Sequence, residues 1–164
     1  MQSLKKEVAI LHENGVRLRF IGNREALSTL LQKEMHQAET MMATNSNLIL
    51  NVVINYGGRW DITEAAKKIA QKVAKGMLSV EAINEDLFSR YLSTHDLADP
   101  DLFIRTSGEQ RISNFFLWQL AYTEFYFSHL HWPDFSEAEF SRALDSFHRR
   151  ERRYGKTSQQ ISDN

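Results

Sequence analysis

Apolar positions recur along this chain with two alternating periods. Over residues 2–13, Leu4, Val8 and Leu11 share one face of a predicted helix, and Asn14-Gly15 ends it. "VRLRFIG" (16–22) alternates apolar and polar, as a half-buried strand does. Between 24 and 43, Leu27, Leu30, Leu31, Met35, Ala38 and Met42 return at helical spacing. "NLILNVVIN" (47–55) is rich in β-branched residues and apolar on both faces, which predicts a central strand covered on both sides. "YGGRW" predicts a turn. Asp61 with Glu64 resembles a capping box, opening a helix with Ile62, Ala65, Ala66, Ile69 and Val73 inward and Gly76 as its cap.

The second half predicts a helix at 84–92, a strand in "DLFIRT" (101–106) and a short helix over 114–121, opened by Ser113 or Asn114. A strand in "EFYFS" (124–128) follows. Ser136 and Glu139 then cap a last helix with Phe140, Ala143, Leu144 and Phe147 inward. Strands alternating with helices predict an α/β fold, a parallel sheet with helices on both faces. In such sheets ligands bind beyond the carboxyl ends of the strands. Two polar turns fall there, Asn55-Tyr56-Gly57-Gly58-Arg59 and Arg105-Thr106-Ser107-Gly108-Glu109.

Composition narrows the chemistry. The 164 residues suit one domain with a real core, and 42% hydrophobic with 25% charged residues is ordinary for a globular chain. The formal net charge of −1 argues against nucleic acid as a partner of the whole chain. There is no cysteine, so disulfides, thiol catalysis and cysteine metal sites are excluded, and a reducing, cytoplasmic setting is expected. No stretch approaches the roughly 18 apolar residues of a membrane span.

The stretch "DLFIRTSGEQRISNFFLWQLAYTEFYF" (101–127) carries the candidate site. Arg105, Arg111 and Ser113 surround a Ser-Gly turn ahead of the predicted helix start. Two guanidinium groups beside a helix N-terminus suit phosphate or diphosphate. Glu124 enters the next strand, and a carboxylate beside a diphosphate can hold Mg2+. The plainer reading has Arg105 paired with Asp101 or Glu109, Glu124 paired with Arg111, and Phe115, Phe116 and Trp118 as core. His129 and His131 stand two apart at a strand end, where side chains point to opposite faces, which argues against a metal site. The basic end "RRERRYG" (149–155) suits a helix C-terminus.

With "NYGGRWDI" (55–62), "HENGVRLRFIGN" (12–23) and "FHRRERRYG" (147–155), this stretch closely resembles the undecaprenyl diphosphate synthase family of cis-prenyltransferases. The resemblance runs over roughly residues 10 to 155, so residues 1–155 are expected to be a single domain of that fold and 156–164 a polar tail. It implies repeated addition of isopentenyl diphosphate to farnesyl diphosphate with cis geometry, giving a lipid carrier for cell-wall sugars. It implies that Arg105, Arg111 and Ser113 grip isopentenyl diphosphate and that Glu124 helps hold Mg2+. Gln110 falls where some members carry a histidine, so no histidine role transfers. Asn55, Gly57 and Gly58 are further candidates. Arg153 and Gly155 resemble a tail that reaches the neighbouring subunit's site in a homodimer. Leu48 and Leu50 would line a tunnel for the growing chain. The setting would be cytoplasmic, with the product associating peripherally with the inner face of the membrane.

Two family motifs are absent: Asp-Gly-Asn-Gly-Arg-Trp-Ala, with the principal catalytic aspartate, and Phe-Ser-x-Glu-Asn-Trp. The expectation is therefore a chain shortened at its amino end, lacking strands of the sheet, with an unpaired edge, exposed apolar surface and no activity alone. A non-catalytic partner subunit is the alternative, against which stands the retention of Arg105, Arg111, Ser113 and Glu124 together. A nucleotide-binding module is disfavoured because no Gly-x-x-x-x-Gly-Lys-Ser/Thr loop occurs.

Overall fold

The computed structural model describes residues 2–150, with side chains from residue 7 onward, so Arg153, Gly155 and the tail lie outside the described residues. The chain forms two compact units, Met1–Asp96 and Leu97–Asn164.

In the first unit the expected helix and strand appear as α1 (Gln2–Glu13) and β1 (Val16–Ile21). Gly15 turns the chain between them at φ 71°, a left-handed conformation that suits glycine. The alternation of β1 buries Val16 and Leu18 while Arg17 faces solvent. These two pack with Met42, and Val8, Leu11, Phe20, Ala38 and Leu50 surround them. The helix expected over 24–43 is shorter. Arg24–Ala26 form a 3-10 turn, Leu27 is extended, and α2 runs Thr29–Met41 behind the Ser28 cap. Ser28 Oγ accepts the Leu31 N–H at 3.4 Å, which starts the helix later than the apolar spacing implies.

β2 (Leu48–Val53) pairs in parallel with β1, in a register from Val16↔Leu48 to Ile21↔Val53. Among the described residues β1 is its one strand partner. The expected burial on both faces is not found, since Leu48 is 59% and Ile49 47% exposed. A strand covered on one side buries only what that side reaches.

α3 (Gly58–Ala74) begins earlier than the capping-box reading placed it. Gly57 is the cap and Asp61 N–H already donates to Gly57 O at 2.9 Å. Asp61 instead turns inward and is buried, accepting from Tyr56 O–H at 3.0 Å and Ser93 N–H at 2.9 Å. On the predicted inner face Ala65 and Ile69 are buried and Ala66 is exposed. The Gly76 stop is as expected: Met77 N–H reaches Lys72 O and Gly76 N–H reaches Val73 O, both at 2.9 Å, closing the helix end. α4 (Glu85–Ser89) follows its Asn84 cap and ends before the expected residue 92.

In the second unit β3 (Leu102–Arg105) and β4 (Glu124–Phe127) pair in parallel, from Leu102↔Glu124 to Arg105↔Phe127. The helix expected over 114–121 is absent, and turns occupy the segment. Ser113, Asn114 and Phe116 are left-handed, at φ 46°, 63° and 42°, which an α-helix does not tolerate. Aromatic packing organises the segment instead. Phe115 lies 6.2 Å from Phe103 and 4.3 Å from Phe116, and Phe103 meets Phe125 edge-on at 5.5 Å.

α5 (Glu137–His148) follows Ser136, whose Oγ accepts the Glu139 N–H at 3.4 Å. Glu139 does not close the other half of the expected box. Its buried carboxylate reaches β4, accepting from Ser128 Oγ at 2.8 Å and Tyr126 O–H at 3.0 Å. Those two hydrogen bonds, Ser128's first, hold it below the ordinary carboxylate value. Ala143 is buried, whereas Phe140 is 46% exposed and not inward as expected. Every pairing in the described sheets is parallel, in two separate two-stranded ladders.

Candidate functional site

Arg105 stands at the carboxyl end of β3, where the chain leaves the ladder. Its Nη1 donates to Arg111 O and to Ser113 Oγ, the latter at 3.1 Å. One guanidinium thereby folds the loop 106–113 back on itself and gathers Arg105, Arg111 and Ser113. The Arg111 guanidinium is exposed and paired with Glu109. Ser107 and Gly108, at φ 68° and 70°, turn the chain between the arginines. A non-glycine residue there costs about 1–2 kcal/mol, and neighbours must hold it in place. They do: Ser107 N–H donates to Leu130 O at 2.7 Å and Gly108 N–H to Ser128 O at 2.9 Å. His131 Nδ1 lies 3.2 Å from Ser107 Oγ.

Two parts of the expected arrangement differ. The helix N-terminus expected to face the anion does not form, so what the loop presents is guanidinium and hydroxyl groups on a strained backbone. Glu124 stands at the amino end of β4, opposite Leu102, whereas Arg105 is opposite Phe127. Three registers put them about 10 Å apart along the ladder. Glu124 pairs with Arg150 at 2.9 Å, not with Arg111. Mg2+ takes one or two carboxylates and completes its shell with phosphate and water oxygens. Glu124 fits as one such ligand. Among the described residues no group of three or more His, Asp or Glu side chains is arranged to hold a metal.

In the first unit Asn55, at φ 49°, ties the strand ends together. Its Nδ2 donates to Asn23 O at 2.9 Å, while Asn23 N–H donates to Asn55 O at 3.1 Å. Gly57 and Gly58 start α3, and Gly58 is buried. These three candidates shape the turn beside a polar hollow of about 380 Å³ lined by Asn23, Arg24, Trp60, Asp61 and Ser93. A larger apolar cavity, about 530 Å³, lies among Val8, Phe20, Leu31, Met35, Val52 and Ile54. Leu48 and Leu50 are not among its lining residues. Sequence reasoning missed the buried Asp61, the Glu124–Arg150 pair and the His131–Ser107 contact. The two histidines were the visible signal for the last.

By fold and site this is an α/β protein of parallel strands with an arginine-serine loop fit for an anionic group. The chain belongs to the prenyltransferase family described as "Putative undecaprenyl diphosphate synthase", whose model matches residues 1–155. It is 57% identical over 159 residues to the (2E,6E)-farnesyl-diphosphate-specific ditrans,polycis-undecaprenyl-diphosphate synthase of Legionella pneumophila strain Paris. That match covers 97% of this chain and 67% of the relative. The enzyme of the same name from Aliivibrio fischeri is 50% identical, with 96% and 62% covered. The chain thus spans about two thirds of the length of these relatives. Among solved structures, lavandulyl diphosphate synthase from Lavandula x intermedia, in complex with dimethylallyl diphosphate, matches with a TM-score of 0.89 at 41% identity, covering 93% of this chain and 66% of that one. A probable undecaprenyl diphosphate synthase from Campylobacter jejuni matches with a TM-score of 0.82 at 32% identity, covering 94% and 70%.

Proposed function

We propose that the loop closed by Arg105 is the isopentenyl diphosphate site of a cis-prenyltransferase that extends farnesyl diphosphate to undecaprenyl diphosphate. The observation that carries this reading is the Arg105 bridge to Arg111 O and Ser113 Oγ, which gathers the three residues that the family resemblance assigns to that diphosphate. Arg105 and Arg111 neutralise the anion and Ser113 offers it a hydroxyl. The apolar cavity of the first unit suits the hydrocarbon chain. Mg2+, when bound, neutralises the leaving diphosphate of the primer.

Glu124 stands at the far end of the ladder, beside Arg150, and Arg150 closely precedes Arg153 and Gly155 in sequence. By the resemblance, Glu124 would be one ligand of Mg2+, and Arg153 and Gly155 would reach the neighbouring subunit's site in a homodimer. The setting is cytoplasmic, with the lipid product at the inner face of the membrane.

The test joins residues 1–164 to the amino-terminal third of the Legionella pneumophila relative and supplies farnesyl diphosphate, labelled isopentenyl diphosphate and Mg2+. The fusion is expected to build a long apolar product. Arg105→Ala is expected to cut incorporation by about 10- to 100-fold, the weight of one to two charge-assisted hydrogen bonds. A folded fusion that incorporates no label contradicts the proposal. The 164-residue chain alone, lacking the aspartate motif, is expected to be inactive.

A further inference from the structure

The loop between the two arginines is hung on the segment that follows β4. Ser107 N–H is bonded to Leu130 O, Gly108 N–H to Ser128 O, and Ser128 N–H to Arg105 O at 2.8 Å. The backbone of 128–131 therefore sets where β3 ends and where the turn begins. His131 adds a side-chain contact to this frame, its Nδ1 at 3.2 Å from Ser107 Oγ. His129 also approaches the turn, its Nδ1 at 3.5 Å from where a Cβ on Gly108 would stand. Ser107 holds a left-handed conformation, so its place depends on such neighbours. Two residues before it Arg105 leaves the ladder, and four residues after it stands Arg111.

We propose that His131 is a positioning residue for diphosphate recognition: its hydrogen bond with Ser107 holds the left-handed Ser107-Gly108 turn and thereby sets the spacing of Arg105 and Arg111. The ring acts through Ser107, with the hydroxyl donating in one tautomer and the imidazole in the other. The turn resists displacement when an anion draws the guanidinium groups inward, so the arginines meet the ligand pre-arranged. This rests on reading the loop as a diphosphate site.

The test uses the full chain with inorganic diphosphate as the probe, followed by titration calorimetry, and with amide exchange at Ser107 and Gly108 followed by NMR. His131→Ala is expected to weaken diphosphate about tenfold and to speed exchange at both amides by a similar factor, the weight of one hydrogen bond to the frame. His131→Asn keeps a polar nitrogen and oxygen near the position of Nδ1, and is expected to restore both readouts to within about threefold. His131→Ala combined with Ser107→Ala is expected to be no weaker than Ser107→Ala alone, because the two share one contact. A parent chain that binds no inorganic diphosphate overturns the site reading itself. Parent binding that His131→Ala leaves unchanged, additive losses in the double variant, or failure of His131→Asn to rescue each overturn the role of His131 alone.

Discussion

Replacing Glu39 with glutamine tests how the carboxyl end of β1 is held. The Glu39 carboxylate accepts the Phe20 N–H at 2.7 Å, Arg24 Nη1 at 2.7 Å and Arg24 Nη2 at 2.5 Å. Arg24 in turn donates to Phe20 O. One carboxylate on α2 thus fixes the strand just before Gly22 and Asn23. Hydrogen bonds to charged groups contribute about 1.5–3 kcal/mol each. The Arg24 side chain is 38% exposed against 20% for Glu39, so the ion pair itself is discounted toward the roughly 1 kcal/mol of a surface pair. Glutamine keeps the shape and one acceptor, which leaves a net loss of about 2 kcal/mol, or about 4–8 °C in melting temperature for a chain of this size. Burial raises the Glu39 pKa, but the Arg24 and Phe20 hydrogen bonds outweigh it and hold the group below its usual 4.5. A lowered folded-state value means that the contribution is complete above the unfolded value. It is lost as pH falls through the lower, folded one. Thermal unfolding followed by circular dichroism should therefore show the full gap between parent and Glu39→Gln at neutral pH, narrowing below about pH 4.5. A gap under about 0.3 kcal/mol at neutral pH, or one unchanged in acid, refutes the reasoning.

Other outcomes follow from the same geometry. Gly22→Ala places a Cβ 2.0 Å from Ile54 O at a φ of 130°, and should destabilise by about 3 kcal/mol or more in denaturant titration. Ser136→Ala removes the acceptor for the Glu139 N–H and should cost about 1 kcal/mol in the same assay. Leu48→Lys changes an exposed position and should leave stability within about 0.5 kcal/mol while raising solubility in a sedimentation assay.

Much of the first unit is legible in sequence because its signals are local. The alternation of "VRLRFIG" marks β1, and Gly76 closes α3 as its position implies. The clamp of Glu39 on Phe20 joins residues far apart in the chain, and no period encodes it. Asp61 illustrates competition between two physical roles: its spacing to Glu64 suits a cap, but Tyr56 and Ser93 offer half-buried partners that the spacing cannot show. In the second unit, Arg105, Arg111 and Ser113 are legible as a set. The backbone that follows is not, because Ser113 and Phe116 are types that rarely take left-handed conformations, Asn114 alone being one that favours them, and the aromatic cluster around Phe103 overrides the apparent helix. The burial expected of "NLILNVVIN" presupposes a neighbour on the second face of β2, and among the described residues none covers Leu48 and Ile49.

The most direct measurement is a calorimetric titration of the 164-residue chain with isopentenyl diphosphate, with and without Mg2+, repeated on Arg105→Ala. The account predicts saturable binding by the parent and a loss of about 10- to 100-fold in the variant. Equal affinity in parent and Arg105→Ala, or no binding by the parent, contradicts the placement of the diphosphate at the Arg105 loop.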